Sequence, residues 1–243
     1  MKKNPIISVL ICARNEEEYI EKTLNSIKEQ DFLLPYEIII IDNDSNDNTG
    51  DISLKYTSKI YKCKIRGKVP SLKFGFNFTS GEIIAFADAD TEYPRNWLSL
   101  IYTVFQTSSK IQLVFGSSDM GFTTKLGKKF ASYLSSMQFI PSLKFGVVCS
   151  MGFNLAIKRN ALEKVLVSLS SVAYSGWATG TLTCRIYGKE SIEYCRRLQV
   201  PKCMRRYSEN GMGKTSLNWI KEWFRLLVGK DLKLKESEYF NYD

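Results

Sequence analysis

The chain has 243 residues, 44% of them hydrophobic, a net charge of +9 and no histidine. That size suits one large domain, or a domain with an appendage, around an ample core. The lack of histidine excludes His-based acid–base and triad chemistry, and six cysteines without a CxxC pair argue against a structural zinc site.

The N-terminus, "MKKNPIISVLICARNEEE", starts like a signal peptide, but its apolar part is short and is soon interrupted by Arg14 and Glu16. No run reaches the length of a membrane span, and the unpatterned cysteines favour a reducing compartment, so a cytoplasmic, soluble or peripheral protein is expected. "IISVLICA" (6–13) is short, apolar and rich in β-branched residues, which predicts a buried strand. Residues 15–30 carry apolar positions at helical spacing, with Asn15 and the glutamates suiting a helix start. "YEIIIID" (36–42) predicts a second buried strand, running into turn chemistry and another helix start. "KIYKC" (59–63) is a weaker strand, and a helix with Pro70 near its first turn precedes the strand "EIIAFAD" (82–88).

Beyond residue 97 the pattern predicts a helix over 97–106, a strand over 111–119 and an amphipathic helix over 126–139. A strand or hairpin over 146–159 leads into a further helix from about Asn160. Residues 214–228 read as a basic amphipathic helix with Trp219, Trp223, Phe224 and Leu227 broadly on one face. Residues 185–235 hold 13 Lys/Arg against 5 Asp/Glu, nearly all of the net charge. This basic segment suits an anionic lipid, a phosphorylated substrate or nucleic acid, or is a solvated helix face.

Alternating strands and helices predict a parallel sheet covered on both faces, with ligands outside the carboxyl ends of its strands. That brings Ala13–Glu16, Asp42–Ser45 and Asp88–Asp90 to one rim. Asp88 and Asp90 are one residue apart at a strand end, so both carboxylates can face one site. Two such carboxylates repel unless a cation joins them, and Mg²⁺ or Mn²⁺ shared with a substrate phosphate suits that arrangement. Asp42 can accept hydrogen bonds from a base or ribose, while Asp44–Ser45 suits a turn or helix cap. Lys68 and Lys73 are candidates to neutralise a diphosphate, or lie on an exposed helix face.

Four blocks, "SVLICARNEEEYIEKTLNSIKEQ", "YEIIIIDNDSNDNT", "GKVPSLKFGFNFTSGEIIAFADADTEYPRNWL" and "GFNLAIKR", together resemble the family-2 glycosyltransferases. The resemblance implies a three-layer α/β/α GT-A fold with a mostly parallel central sheet. It also implies a nucleotide-diphosphate sugar donor, UDP- or GDP-linked. By position it implies that Ala13, Asn15 and Glu16 line the nucleotide pocket and that Asp42 reads the base, with Asp44 in the adjoining turn. Lys68 matches the basic position beside the diphosphate, and Asp88 and Asp90 match the DxD that holds ribose and the metal-bound diphosphate. Residues 150–155 match the loop where donor sugar and acceptor meet. Residues 1–203 would form the catalytic domain, with 1–98 its nucleotide-binding part and 99–203 its acceptor part. Residues 204–243 would be a basic helical C-terminal extension.

The sequence departs from the family pattern at Cys12, where Pro is usual, at Lys73, where Asn is usual, and in lacking the metal-proximal His. The largest departure is "SGWATGTLTCRI" (175–186), where the family carries an acidic pair that includes the catalytic base. Here no Asp or Glu stands between Glu163 and Glu190. A carboxylate elsewhere must serve, Asp119 being the best placed and Glu190 and Glu193 the others, or an acidic acceptor such as a phosphate needs no base. The resulting expectation is a metal-dependent, inverting hexosyltransferase acting on a glycan or lipid-linked acceptor at the inner membrane face. The alternatives are a non-catalytic nucleotide-sugar or membrane-surface binding protein and a sugar nucleotidyltransferase. Nucleic acid is not expected as a partner, because the rim acids would repel a phosphate backbone.

Overall fold

The computed structural model describes residues 4–119, 124–169 and 175–201, together with residues 221, 224, 226 and 227. The apolar runs of the first half form β1 (Ile7–Ala13), β2 (Tyr36–Asp42), β3 (Ile60–Lys62) and β4 (Ile83–Asp88). They are mutually parallel and ordered β3-β2-β1-β4. Between them lie α1 (Ile20–Lys28), α2 (Thr49–Leu54) and α3 (Lys68–Phe76). Parallel strands need such crossovers, and helices on both faces bury both sets of alternating side chains. Ile39, Ile40 and Ile41 are accordingly all fully buried, each contributing about 1.5–3 kcal/mol of apolar burial.

The second half adds α4 (Trp97–Thr107), β5 (Leu113–Ser118), α5 (Lys125–Lys144), β6 (Leu155–Lys158), α6 (Arg159–Ser168), α7 (Ser175–Tyr187) and β7 (Ile192–Val200). The sheet continues as β4-β6-β5-β7. Strand β6 runs antiparallel to both of its neighbours, and β7 is parallel to β5. The described sheet therefore has one reversed strand, and β4, β5 and β7 end on the same edge as β1 and β2.

Three expectations change. The helix predicted over 15–30 starts only at Ile20, because the Asn15–Glu17 backbone is engaged with the loop after β2. The strand or hairpin predicted over 146–159 shrinks to β6, and residues 147–154 form a buried irregular segment. Strand β7 was not anticipated at all, because Arg196 and Arg197 make it look like part of a basic tail. Both arginines are exposed where the β5–β7 register shifts between Phe115 and Ser117.

Most of the expected extension, including Trp219 and Trp223, lies outside the described residues. Residues 221, 224, 226 and 227 are helical. There Leu226 is buried and its carbonyl accepts a hydrogen bond from Arg185, while Phe224 and Leu227 face outward. Among the described residues no helix is long and apolar enough to cross a membrane.

Candidate functional site

Strand register builds the rim. Ala13 is level with Asp42 across β1–β2, and Cys12 with Asp88 across β1–β4. Beyond the strands, the first two loops are stitched together. The Asn15 N–H donates to Ser45 Oγ (3.1 Å), and the Asn46 N–H returns to Asn15 Oδ1 (2.9 Å). The Glu16 N–H donates to Thr49 Oγ1 (2.8 Å) and the Glu17 N–H to Asp47 Oδ2 (3.1 Å). Asn15 and Asp44 hold φ of 52° and 64°, a left-handed conformation that Asn and Asp tolerate better than other residues with a Cβ. Burial alone would raise the Asp47 carboxyl, but hydrogen bonds from Thr49 and Glu17 outweigh it and hold it below the ordinary range.

Asp42 is buried, and its Oδ1 accepts the Ser45 N–H at 3.0 Å. The turn is thus capped by Asp42 and Asp47, and Asp44 stands exposed at its crest. Asn43, which sequence reasoning passed over, organises the next loop. Its amide donates to the carbonyls of Cys63 and Ile65 (2.8 Å each) and accepts the Gly67 N–H (3.0 Å), which sets where α3 begins. Only its place within "DNDSNDNT" hinted at that role.

Asp88 and Asp90 leave β4 as two half-buried acids on either side of the buried Ala89. The turn is held from behind: Thr23 Oγ1 donates to the Ala89 carbonyl (2.8 Å) and accepts the Thr91 N–H (3.1 Å). Lys68, from the first turn of α3, forms an ion pair with Asp88. Cys12 lies beside this pair with its thiol pushed up to about 12, chiefly by burial, so it is a neutral filler and not a nucleophile. Lys73 is directed elsewhere, donating to the Leu169 carbonyl at 2.7 Å beyond the end of α6.

Among the described residues no cluster of three or more His, Cys, Asp or Glu side chains is placed to hold a metal. A pair of carboxylates at one strand end instead suits a hard cation that takes its other oxygen ligands from a phosphate and from water.

Tyr93 joins the two halves of the site. Its hydroxyl accepts the Asp88 N–H (2.9 Å) and donates to the Phe153 carbonyl (2.8 Å). Burial, and then the charge of Asp88, push this phenol well above its ordinary range, so it stays protonated. The adjacent Asn154 is fully buried, accepting from Trp97 Nε1 (3.1 Å) and donating to the carbonyls of Ser117 (2.9 Å) and Leu198 (2.8 Å). Residues 150–155 are thereby fixed to β4, β5 and β7.

Helix α7 presses on this loop. A Cβ on Gly176 would lie 2.5 Å from the Ser150 carbonyl, and one on Gly180 would lie 2.6 Å from Val148 Cγ1. Ser150 Oγ donates to the Gly176 carbonyl at 2.6 Å. Asp119 leaves β5 on the same edge as Asp88, two strands away, where it is buried and 3.5 Å from the Lys128 ammonium. Glu193 pairs in register with Val114 near the start of β5, and Glu190 precedes it, so both exposed acids sit at the opposite edge of the sheet.

A family model described as glycosyl transferase family 2 matches residues 8–166. Glycosyltransferase AglE of Haloferax volcanii is 27% identical over 171 residues, covering 66% of this chain and 55% of that protein. The dolichol-phosphate mannosyltransferase of Pyrococcus furiosus is 30% identical over 112 residues, covering 44% of this chain and 32% of that protein. The chain thus spans between about a third and just over half of the length of these relatives. Glucosyl-3-phosphoglycerate synthase from Mycobacterium tuberculosis, solved with Mn²⁺ and UDP-glucose, superposes with a TM-score of 0.65 at 24% identity. That superposition covers 93% of this chain and 79% of the other, and it establishes the α/β GT-A fold expected from the sequence.

Proposed function

The chain belongs to glycosyl transferase family 2, and on that premise we propose that it transfers a sugar from a UDP- or GDP-sugar to a lipid-linked or glycan acceptor. The observation that carries this reading is the shared rim, where Asp88 and Asp90, the Lys68 ion pair and the stitched β1 and β2 loops converge. Ala13, Asn15, Glu16, Asp42 and Asp44 would form the nucleoside side of the pocket. Asp88 and Asp90 would hold Mg²⁺ or Mn²⁺ against the diphosphate, with Lys68 beside it. A metal bound there supplies charge stabilisation to the leaving diphosphate. The donor and metal assignments draw support from the Mn²⁺–UDP-glucose complex of the M. tuberculosis enzyme.

Asp119 is the chain's own candidate to take the acceptor proton, since it stands on the rim side of the sheet while Glu190 and Glu193 do not. A second reading is favoured by the acid-free helix α7 against the 148–152 loop. A phosphate acceptor is already ionised near neutral pH and needs no base, and the dolichol-phosphate mannosyltransferase among the relatives is named for such an acceptor. Calorimetry with Mn²⁺ across a panel of nucleotide sugars tests the donor half, and absence of binding to every member would overturn it. Nucleoside diphosphate release, lost in Asp90→Ala, separates transfer from nucleotidyl transfer and from mere binding. Asp119→Asn then divides the two acceptor readings. A hydroxyl acceptor predicts a loss of about 10²–10⁴-fold, and a phosphate acceptor predicts little change. The anomeric configuration of the product reports the expected inversion.

A further inference from the structure

Helix α5 carries an apolar stripe that the donor site does not use. Leu126, Phe130 and Tyr133 are 79%, 53% and 61% exposed, and their i, i+4, i+7 spacing puts them on one helix face. Lys125, Lys128 and Lys129 are exposed in the same turns, and none of the helix's 20 residues is acidic. Large apolar side chains exposed in line are uncommon on a protein surface. Apolar and aromatic groups bordered by lysines, with no acid among them, complement the acyl–headgroup boundary of an anionic bilayer.

The stripe is also well placed. The Lys128 ammonium is 3.5 Å from Asp119, and Gln199 donates to the Lys128 carbonyl at 2.8 Å. These contacts anchor the first turns of α5 at the rim ends of β5 and β7, the side on which the acceptor is expected.

We propose that α5 docks the protein on an anionic membrane surface, with Leu126, Phe130 and Tyr133 entering the interface and Lys125 and Lys129 meeting acidic headgroups. The purpose of docking rests on the lipid-linked-acceptor reading, because it brings the rim to the plane in which such an acceptor lies. The docking itself needs neither donor, metal nor acceptor.

The test is co-sedimentation of the full chain with phosphatidylcholine vesicles with and without phosphatidylglycerol, in the absence of nucleotide sugar. Binding is expected only with phosphatidylglycerol and is expected to fall with added salt. The variant L126E/F130E/Y133E should lower vesicle affinity by about tenfold or more, and K125E/K129E by a similar factor. Val167→Glu, a charge at an exposed site on α6, should leave binding unchanged. The proposal is overturned if the wild-type chain ignores the vesicles or if the triple variant binds as well as the wild type. It is equally overturned if the triple variant loses thermal stability or changes its mass in solution, since the stripe would then be covered by its own chain or by a second copy. Vesicle binding without transfer to any acceptor would defeat the acceptor reading and leave the docking surface standing.

Discussion

Two lysine–carboxylate pairs sit at opposite edges of the sheet, Glu37–Lys59 near the start of β2 and Asp88–Lys68 at the end of β4. Glu37 is sunk in the protein, its side chain 8% exposed, and it gathers donors from several elements. Ser8 Oγ (2.5 Å), the Ser80 N–H (2.7 Å) and Ser80 Oγ (2.8 Å) all converge on its Oε1. Asp88 is 22% exposed and lies on a rim whose neighbouring loops hold two left-handed residues. The first pair ties β1, β2 and the turn before β4 into one body, and its work is finished on folding. The second pair is partly open to solvent on both sides, and under the proposed function a ligand would compete for both partners. The two pairs share charge and pairing but differ in exposure, Glu37 being 8% and Asp88 22% exposed.

The largest expected effect separates the two sites outright. Asp88→Ala should lower sugar transfer by about 10³-fold while moving unfolding free energy by less than about 1 kcal/mol, because a partly exposed pair contributes little to stability. Steady-state kinetics and denaturant titration on one preparation would check both halves. Glu37→Ala should do the reverse. It strands Lys59, Ser8 and Ser80, costing about 3 kcal/mol in denaturant unfolding, with transfer per folded molecule unchanged. If Glu37→Ala abolished transfer in a fully folded protein, the contrast would collapse.

Tyr93→Phe probes the connection between the halves. It removes partners from the Asp88 N–H and the Phe153 carbonyl, so about 1–2 kcal/mol of stability should go. A fall in turnover larger than the fall in donor affinity would support a role for the phenol in positioning the 150–155 loop for the acceptor. The smallest signal is in acid. Burial alone would raise the Glu37 carboxyl, but the hydrogen bonds from Lys59, Ser8 and Ser80 outweigh it and lower it. Its stabilisation is therefore full above the unfolded value of about 4.3 and is lost as pH falls through the lower folded value. Glu37→Gln should flatten the stability–pH curve in that window only.

The first half of the fold was legible because buried parallel strands are continuous apolar runs, and "SVLICA", "EIIIID" and "IIAFAD" each end where the polar rim begins. Asp42, Asp88 and Asp90 could be placed from that rule alone. Strand β7 escaped it because a strand at the sheet edge can carry arginines on its outer side. Helix α7 gave little signal for a different reason. Ala178, Thr179, Thr181 and Thr183 are fully buried although the segment is not strongly apolar, since small residues fill the space against a close loop. Lys73 and Lys68 look equivalent in sequence. Five residues of helix rotate them apart, one toward Asp88 and the other toward Leu169.

The glycine face of α7 bears on how this protein can vary over time. At Gly176 the first side-chain atom of any other amino acid would meet backbone, and backbone cannot rotate out of the way as a side chain can. Any missense change at that codon adds such an atom, so drift there is closed to gradual steps. Change in this region would have to arise in the facing loop, at Ser150, Met151 or Phe153, or come with an exchange of loop and helix together.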